Sequence, residues 1–187
     1  MEQLPYGYCG MPCALCTRHR TDGKSRCDGC SAGGYYTDVC RVYRCCREKG
    51  LTHCGLCADF PCARLGKMGD FRDLTTNGVK QRACAAIAGS GFAPWYADYA
   101  ERAALLTHAL ENYNSGRNQR FLCELCITRD IDSLRDLMRR AEALTGTLAE
   151  KARAFRALAD APCPNGDASA VRVAEGEPFE RQYNNHP

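Results

Sequence analysis

The sequence predicts a mainly α-helical chain with an irregular, metal-stabilised N-terminal region: a small cysteine-rich module packed on a helical C-terminal part. Three observations carry this. Residues 9–62 hold ten cysteines at metal-ligand spacings, with an eleventh, Cys46, next to Cys45. Residues 1–62 contain only six Leu, Val or Ile side chains: Leu4, Leu15, Val39, Val42, Leu51 and Leu56. Beyond residue 67, apolar residues recur at helical intervals. So few aliphatics cannot offset the ordering entropy of this stretch, roughly 1–2 kcal/mol per residue for the backbone alone. Modules this small ordinarily need disulfides or a metal.

Metal is the stronger expectation. The start, Met-Glu-Gln-Leu-Pro-Tyr-Gly-Tyr, lacks a basic and then an apolar region, so no secretory signal is expected. No apolar run approaches the about 20 residues needed to span a bilayer. The cysteine count is odd, fifteen, and four pairs have Cys-x2-Cys spacing. In a chain expected to be cytoplasmic, that pattern points to thiolate–metal or redox chemistry rather than structural bridges.

Taken in order, the chain reads as 1–66 cysteine-rich metal-binding module, 67–162 helical region and 163–187 loosely held tail. Thr37 or Asp38 is expected to cap a helix running to about Lys49, stopped by Gly50, with Val39, Val42, Tyr43 and Cys46 on one face. Leu51 to Cys62 reads as irregular and ligand-bearing, and Lys67 to Arg72 as a linker. An Ala-rich helix follows from Val79 to about Ala88, ended by Gly89-Ser-Gly91. Pro94 suits the next helix start, and Trp95, Tyr99, Ala103, Leu106, Leu110 and Tyr113 keep its amphipathic period. Phe121 to Thr128 alternates briefly and reads as a short strand or turn. Asp130 or Asp132 then caps a helix through about Leu144, with Ile131, Leu134, Leu137 and Met138 inward. Residues 147–160 form the last helix, with Leu148, Ala152, Phe155 and Leu158 on one stripe. Pro162-Cys163-Pro164 breaks it.

A Cys-x2-Cys turn curls back to place two thiolates on one ion, and zinc takes four in a tetrahedron. Cys13 and Cys16 with Cys27 and Cys30 make one complete set. Cys40 and Cys45 with Cys54 and Cys57 make a second, leaving Cys9 and Cys62 spare, either of which can replace a member of its set. About two zinc ions are therefore expected, in sites closed by four cysteines that ordinarily serve as scaffolding. The alternative is an iron–sulfur cluster, since Cys9-x3-Cys13-x2-Cys16 also reads as three cluster ligands. Radical S-adenosylmethionine enzymes share that spacing, but they need a run of alternating strands and helices that is not in view here.

Other candidates carry less. His53 reads as a surface histidine, Cys84 as a core residue and Cys163 as half a zinc knuckle. Cys123-Glu-Leu-Cys126 reads equally as a metal or redox pair and as packing. The basic excess lies in the cysteine-rich part, in the Arg18–Arg26 loop and on Arg41, Arg44, Arg47 and Lys49. At a net charge of +3 it is too modest to imply nucleic acid by itself. No phosphate-binding glycine loop, serine-nucleophile elbow or His-Glu-x2-His motif occurs.

The ordered cysteines resemble an uncharacterised prokaryotic family, domain of unknown function 3795. Its Cys-Gly-x2-Cys-x2-Cys opening is met by Cys9, Gly10, Cys13 and Cys16, and its Cys-x-Gly-Cys by Cys27, Gly29 and Cys30. Its Cys-x4-Cys is met by Cys40 and Cys45, and its close by Cys54, Cys57, Phe60, Pro61 and Cys62. Longer members are also similar around Gly91, Trp95 and Tyr113 to Arg117. Cys46 and Cys163 depart from the pattern. The resemblance implies a cysteine-rich zinc-binding small protein and lends no activity. The expected role is binding or regulation with a protein partner rather than catalysis, off the membrane. The rival is an iron–sulfur or thiol-redox protein.

Overall fold

The computed structural model describes residues 3–68 and 77–161. The expected break at Pro162, the tail from 163 and most of the expected linker lie outside the described residues. Seven α-helices and three single 3-10 turns occur among those residues, and no strand. The chain divides into two compact units, described residues up to 99 forming one and residues 100–161 the other. The first unit thus extends past residue 66. No helix among the described residues is long and apolar enough to cross a membrane.

The first unit is mostly loop. Its 3-10 turns cover Cys13–Leu15, Cys30–Ala32 and Cys54–Leu56, and each begins on a cysteine. In Cys13-x2-Cys16 and Cys54-x2-Cys57 the second cysteine's N–H donates to the first cysteine's carbonyl at 3.0 Å. The two motifs therefore share one backbone turn. Helix α1 (Arg41–Glu48) begins later than expected. Neither Thr37 nor Asp38 caps it; the Cys40 sulfur accepts the Tyr43 N–H at 3.4 Å. Val39 consequently lies outside the helix and is exposed. Gly50 ends the helix with a φ of 66°. Helix α2 (Ala63–Gly66) starts directly after Cys62.

Helix α3 (Asn77–Ser90) runs against this loop region at two glycines. A Cβ on Gly10 would lie 2.3 Å from the Lys80 carbonyl oxygen, and one on Gly55 would lie 2.5 Å from that of Cys84. Lys80 and Cys84 are four residues apart and share one helical face. Helix α4 (Phe92–Tyr113) opens two residues before Pro94, which remains in the first turn where its missing N–H is harmless. Its first two turns stack Phe92, Trp95, Tyr96 and Tyr99 on one another. The Tyr99 hydroxyl accepts the Ala14 N–H at 2.7 Å and donates to the Pro5 carbonyl, binding the N-terminal loops to the helix.

The second unit packs the rest of α4 with α5 (Gln119–Thr128), α6 (Ile131–Ala141) and α7 (Leu148–Asp160). Residues 121–128 are helical, not a strand or turn. Leu122, Cys123, Leu125 and Cys126 are buried, the i, i+1, i+3, i+4 set of one helical face, which a short apolar alternation imitates. Arg102 closes the end of α5 by donating to the carbonyls of Cys126 at 3.0 Å and Arg129 at 2.6 Å. Of the two expected caps on α6, Asp130 is the one used, and Thr147 with Glu150 forms a capping box on α7. Leu148, expected inward, is 43% exposed because it is the first residue of α7, ahead of the buried Ala152, Phe155 and Ala159.

Two substitutions test this unit. Asp130→Ala removes a cap accepting from Ser133 N–H at 2.8 Å and should cost about 1 kcal/mol. Phe155→Ala removes a fully buried ring stacked 4.5 Å from Tyr113 and should cost about 3–5 kcal/mol. Hydrogen bonds from Ser133 hold the Asp130 carboxyl below its usual range. The cap's contribution is therefore present at neutral pH and is lost as the pH falls through that lowered value. Urea unfolding followed by far-UV circular dichroism checks both; equal losses would contradict the assignment.

Candidate metal centre

The core of the first unit is sulfur. Of the ten buried residues in its central cluster, six are cysteines: Cys9, Cys13, Cys16, Cys46, Cys54 and Cys84. Tyr8, Met11, Val42 and Leu65 complete it. Cys27, Cys30, Cys40, Cys45, Cys57 and Cys62 are half-buried around this centre, and none of the described cysteines is in a disulfide.

Their neighbours sort them. Cys13 donates to Cys30, which lifts the Cys13 thiol and lowers that of Cys30. Cys9 faces Cys30 and Cys40; burial pushes its thiol up to about 12, while the buried Lys80 pulls the other way. Cys16 faces Cys27 and is raised by burial, against the N–H groups of His19 and Arg18 that favour its thiolate. On the other side Cys46 and Cys54 stand 3.5 Å apart, sulfur to sulfur. That contact lowers the Cys46 thiol and raises Cys54. Cys84, raised chiefly by burial, faces Cys9, Cys46 and Cys62. Cys40 thus acts on Cys9, and Cys9 in turn on Cys54, so the two sets of sulfurs adjoin.

Beside α1 lies a cleft of about 230 Å³. Five cysteines line it (Cys45, Cys46, Cys54, Cys57 and Cys62), with Lys49, Asp59 and Arg64 among its polar residues. Lys49 Nζ reaches the Cys57 sulfur at 3.5 Å and forms an ion pair with Asp59.

His53 is fully buried, not on the surface. Its Nδ1 accepts the Gly55 N–H at 3.0 Å, so its proton belongs on Nε2, which has no hydrogen-bond partner. The ring centroid lies 5.4 Å from that of Trp95 and 6.3 Å from those of Tyr6 and Phe92. Burial lowers its pKa to about 4, leaving the ring neutral at pH 7. Its role is to cap the Cys54 turn from inside an aromatic box. Tyr6, Trp95 and Phe92 are the sequence signal for that burial, but they become neighbours only through the fold.

Among the described residues no three His, Cys, Asp or Glu side chains converge tightly enough to hold a metal ion. The sulfurs meet in pairs instead. The donor set nonetheless suits a soft metal. Four thiolates about 2.3 Å from zinc lie about 3.8 Å from one another, close to the Cys46–Cys54 separation. A bound cation would also favour the thiolate form that burial opposes at Cys9 and Cys84.

Residues 5–67 match a family model described as Protein of unknown function (DUF3795). No curated protein and no solved structure matches the chain. The matched segment holds the ten expected ligand cysteines and Cys46, while Lys80, Cys84 and Tyr99 lie beyond it.

The glycine contacts give a test. Gly10→Ala meets both a positive φ of 88° and the Lys80 carbonyl, and should cost about 3 kcal/mol or more. Gly50→Ala, at φ 66° with nothing within 4 Å, should cost only about 1–2 kcal/mol. Denaturation followed by the fluorescence of Trp95, the chain's single tryptophan, separates them. Equal costs would remove the close approach of α3 as a constraint.

Proposed function

We propose that this protein binds metal through its N-terminal cysteines, as a zinc-thiolate protein with about two ions and a binding or regulatory role. One observation carries the reading: six of the ten buried residues at the centre of the first unit are cysteines. Burying that many thiols yields less than burying the same number of Leu or Ile side chains. A cation would add folding energy directly, apparent values for structural zinc being on the order of 10–16 kcal/mol. Cys9, Cys13, Cys16, Cys27, Cys30, Cys40, Cys45, Cys54, Cys57 and Cys62 are the candidate ligands. When bound, zinc closed by four thiolates supplies cross-linking rather than a reactive position. The rest is the chain's own work. Paired turns present the thiols, Lys80 and Lys49 offset negative charge near Cys9 and Cys57, and aromatic rings screen one side. A reducing compartment such as the cytoplasm would keep the thiols available.

A second reading, an iron–sulfur cluster, is favoured by the cleft beside α1, which is roomier than a single ion needs. Metal content and visible absorbance of anaerobically purified protein separate the two. Zinc without colour supports the first; iron with sulfide and a brown band bleached by dithionite supports the second. A folded protein with substoichiometric metal would sink both.

Chelation at neutral pH should change the Trp95 fluorescence, since that ring stacks in the cysteine-bearing unit, while most far-UV helical signal from residues 100–161 survives. Both signals staying unchanged after complete metal removal would contradict a folding role for the metal.

A further inference from the structure

We infer that the cleft beside α1 is a metal centre of its own, closed by Cys46, Cys54, Cys57 and Cys62. It would be the more exchangeable of the two centres and would take a soft divalent cation such as zinc. This rests on the metal-binding reading and settles how the thiols divide. The key residue is Cys46, which belongs to no Cys-x2-Cys pair and departs from the family pattern.

Four observations carry it. First, Cys46 and Cys54 Sγ already stand 3.5 Å apart, near the about 3.8 Å edge of a tetrahedral zinc-thiolate site. Second, Cys57 and Cys62 line the same cleft from the turn after Cys54 and from the start of α2. Third, Cys40, which spacing alone would assign here, is not among the residues that line the cleft. Cys45 also lines the cleft. However, adjacent residues on α1 project about 100° apart, so Cys45 and Cys46 cannot share the corner beside Cys54. Fourth, Lys49 Nζ at 3.5 Å from the Cys57 sulfur puts positive charge where four thiolates and one divalent ion would leave a net −2.

The centre differs from its neighbour in access. Both sets mix buried thiols (Cys9, Cys13 and Cys16; Cys46 and Cys54) with half-buried ones (Cys27, Cys30 and Cys40; Cys57 and Cys62), but Cys57 and Cys62 line a cleft with room for an incoming ligand. Loading is an exchange: four thiols release four protons as one divalent cation binds, with no change of oxidation state.

The test uses the full chain, zinc-loaded and reduced, challenged with excess chelator while zinc release is followed in time. Wild type should release zinc in two phases of about one equivalent each. Cys46→Ser and Cys62→Ser should abolish the fast phase and lower the total by about one equivalent; Cys13→Ser should remove the slow one. Cys62 is half-buried, so Cys62→Ser tests the site even if the buried Cys46→Ser fails to fold. Retention of the fast phase in Cys62→Ser, or in a folded Cys46→Ser, would overturn the assignment with metal binding intact. A Cys46–Cys54 disulfide in metal-loaded protein would also overturn it. Wild type that takes up no zinc would instead remove the underlying reading.

Discussion

The contact between α3 and the cysteine loops is what the rest of the first unit depends on. Gly10 and Gly55 each follow a cysteine, and at each a helix carbonyl occupies the space of the missing side chain. Two backbones at that distance leave no room for adjustment by rotamer change. The approach places Cys84 against Cys9 and Cys46 and buries Lys80 beside Cys9. It also lays Ile87 against Gly55. The family-matched segment ends at residue 67, so the helix that closes its sulfur core comes from sequence outside the match.

Electrostatics follow from that closure. A thiol removed from water is held neutral unless something favours the charged form. Here close sulfur–sulfur contacts do so at Cys30 and Cys46, whose partners Cys13 and Cys54 each begin a 3-10 turn. Lys80 and Lys49 supply positive charge at opposite members of the group. Cys9, Cys13 and Cys16 are buried, with Cys27, Cys30 and Cys40 half-buried, and Cys57 and Cys62 border a cleft.

Local signals made much of the helical part legible. Asp130 before an amphipathic run marked α6, and the stripe of Ala152 and Phe155 marked α7. Residues 121–128 imitate a strand because six apolar residues in eight satisfy both periods, and only packing in the second unit selects the helix. Val39 was misread because a cysteine sulfur, not Thr37 or Asp38, caps α1. His53 and Lys80 escaped because their surroundings are made by the fold, whereas Cys84 is the core residue, and Cys46 the inward one, that their helices imply. Aromatic rings from α4 surround His53, and Cys84 meets residues more than twenty positions away. Spacing names ligands well, but it does not say which sulfurs meet.

The central claim is that sulfur, through a bound metal, holds the first unit together. X-ray absorption at the metal edge of the reduced, loaded full chain tests it most directly. The account predicts a first shell of sulfur alone, about 2.3 Å from zinc. A shell dominated by nitrogen or oxygen, or no retained metal in a folded protein, would contradict it.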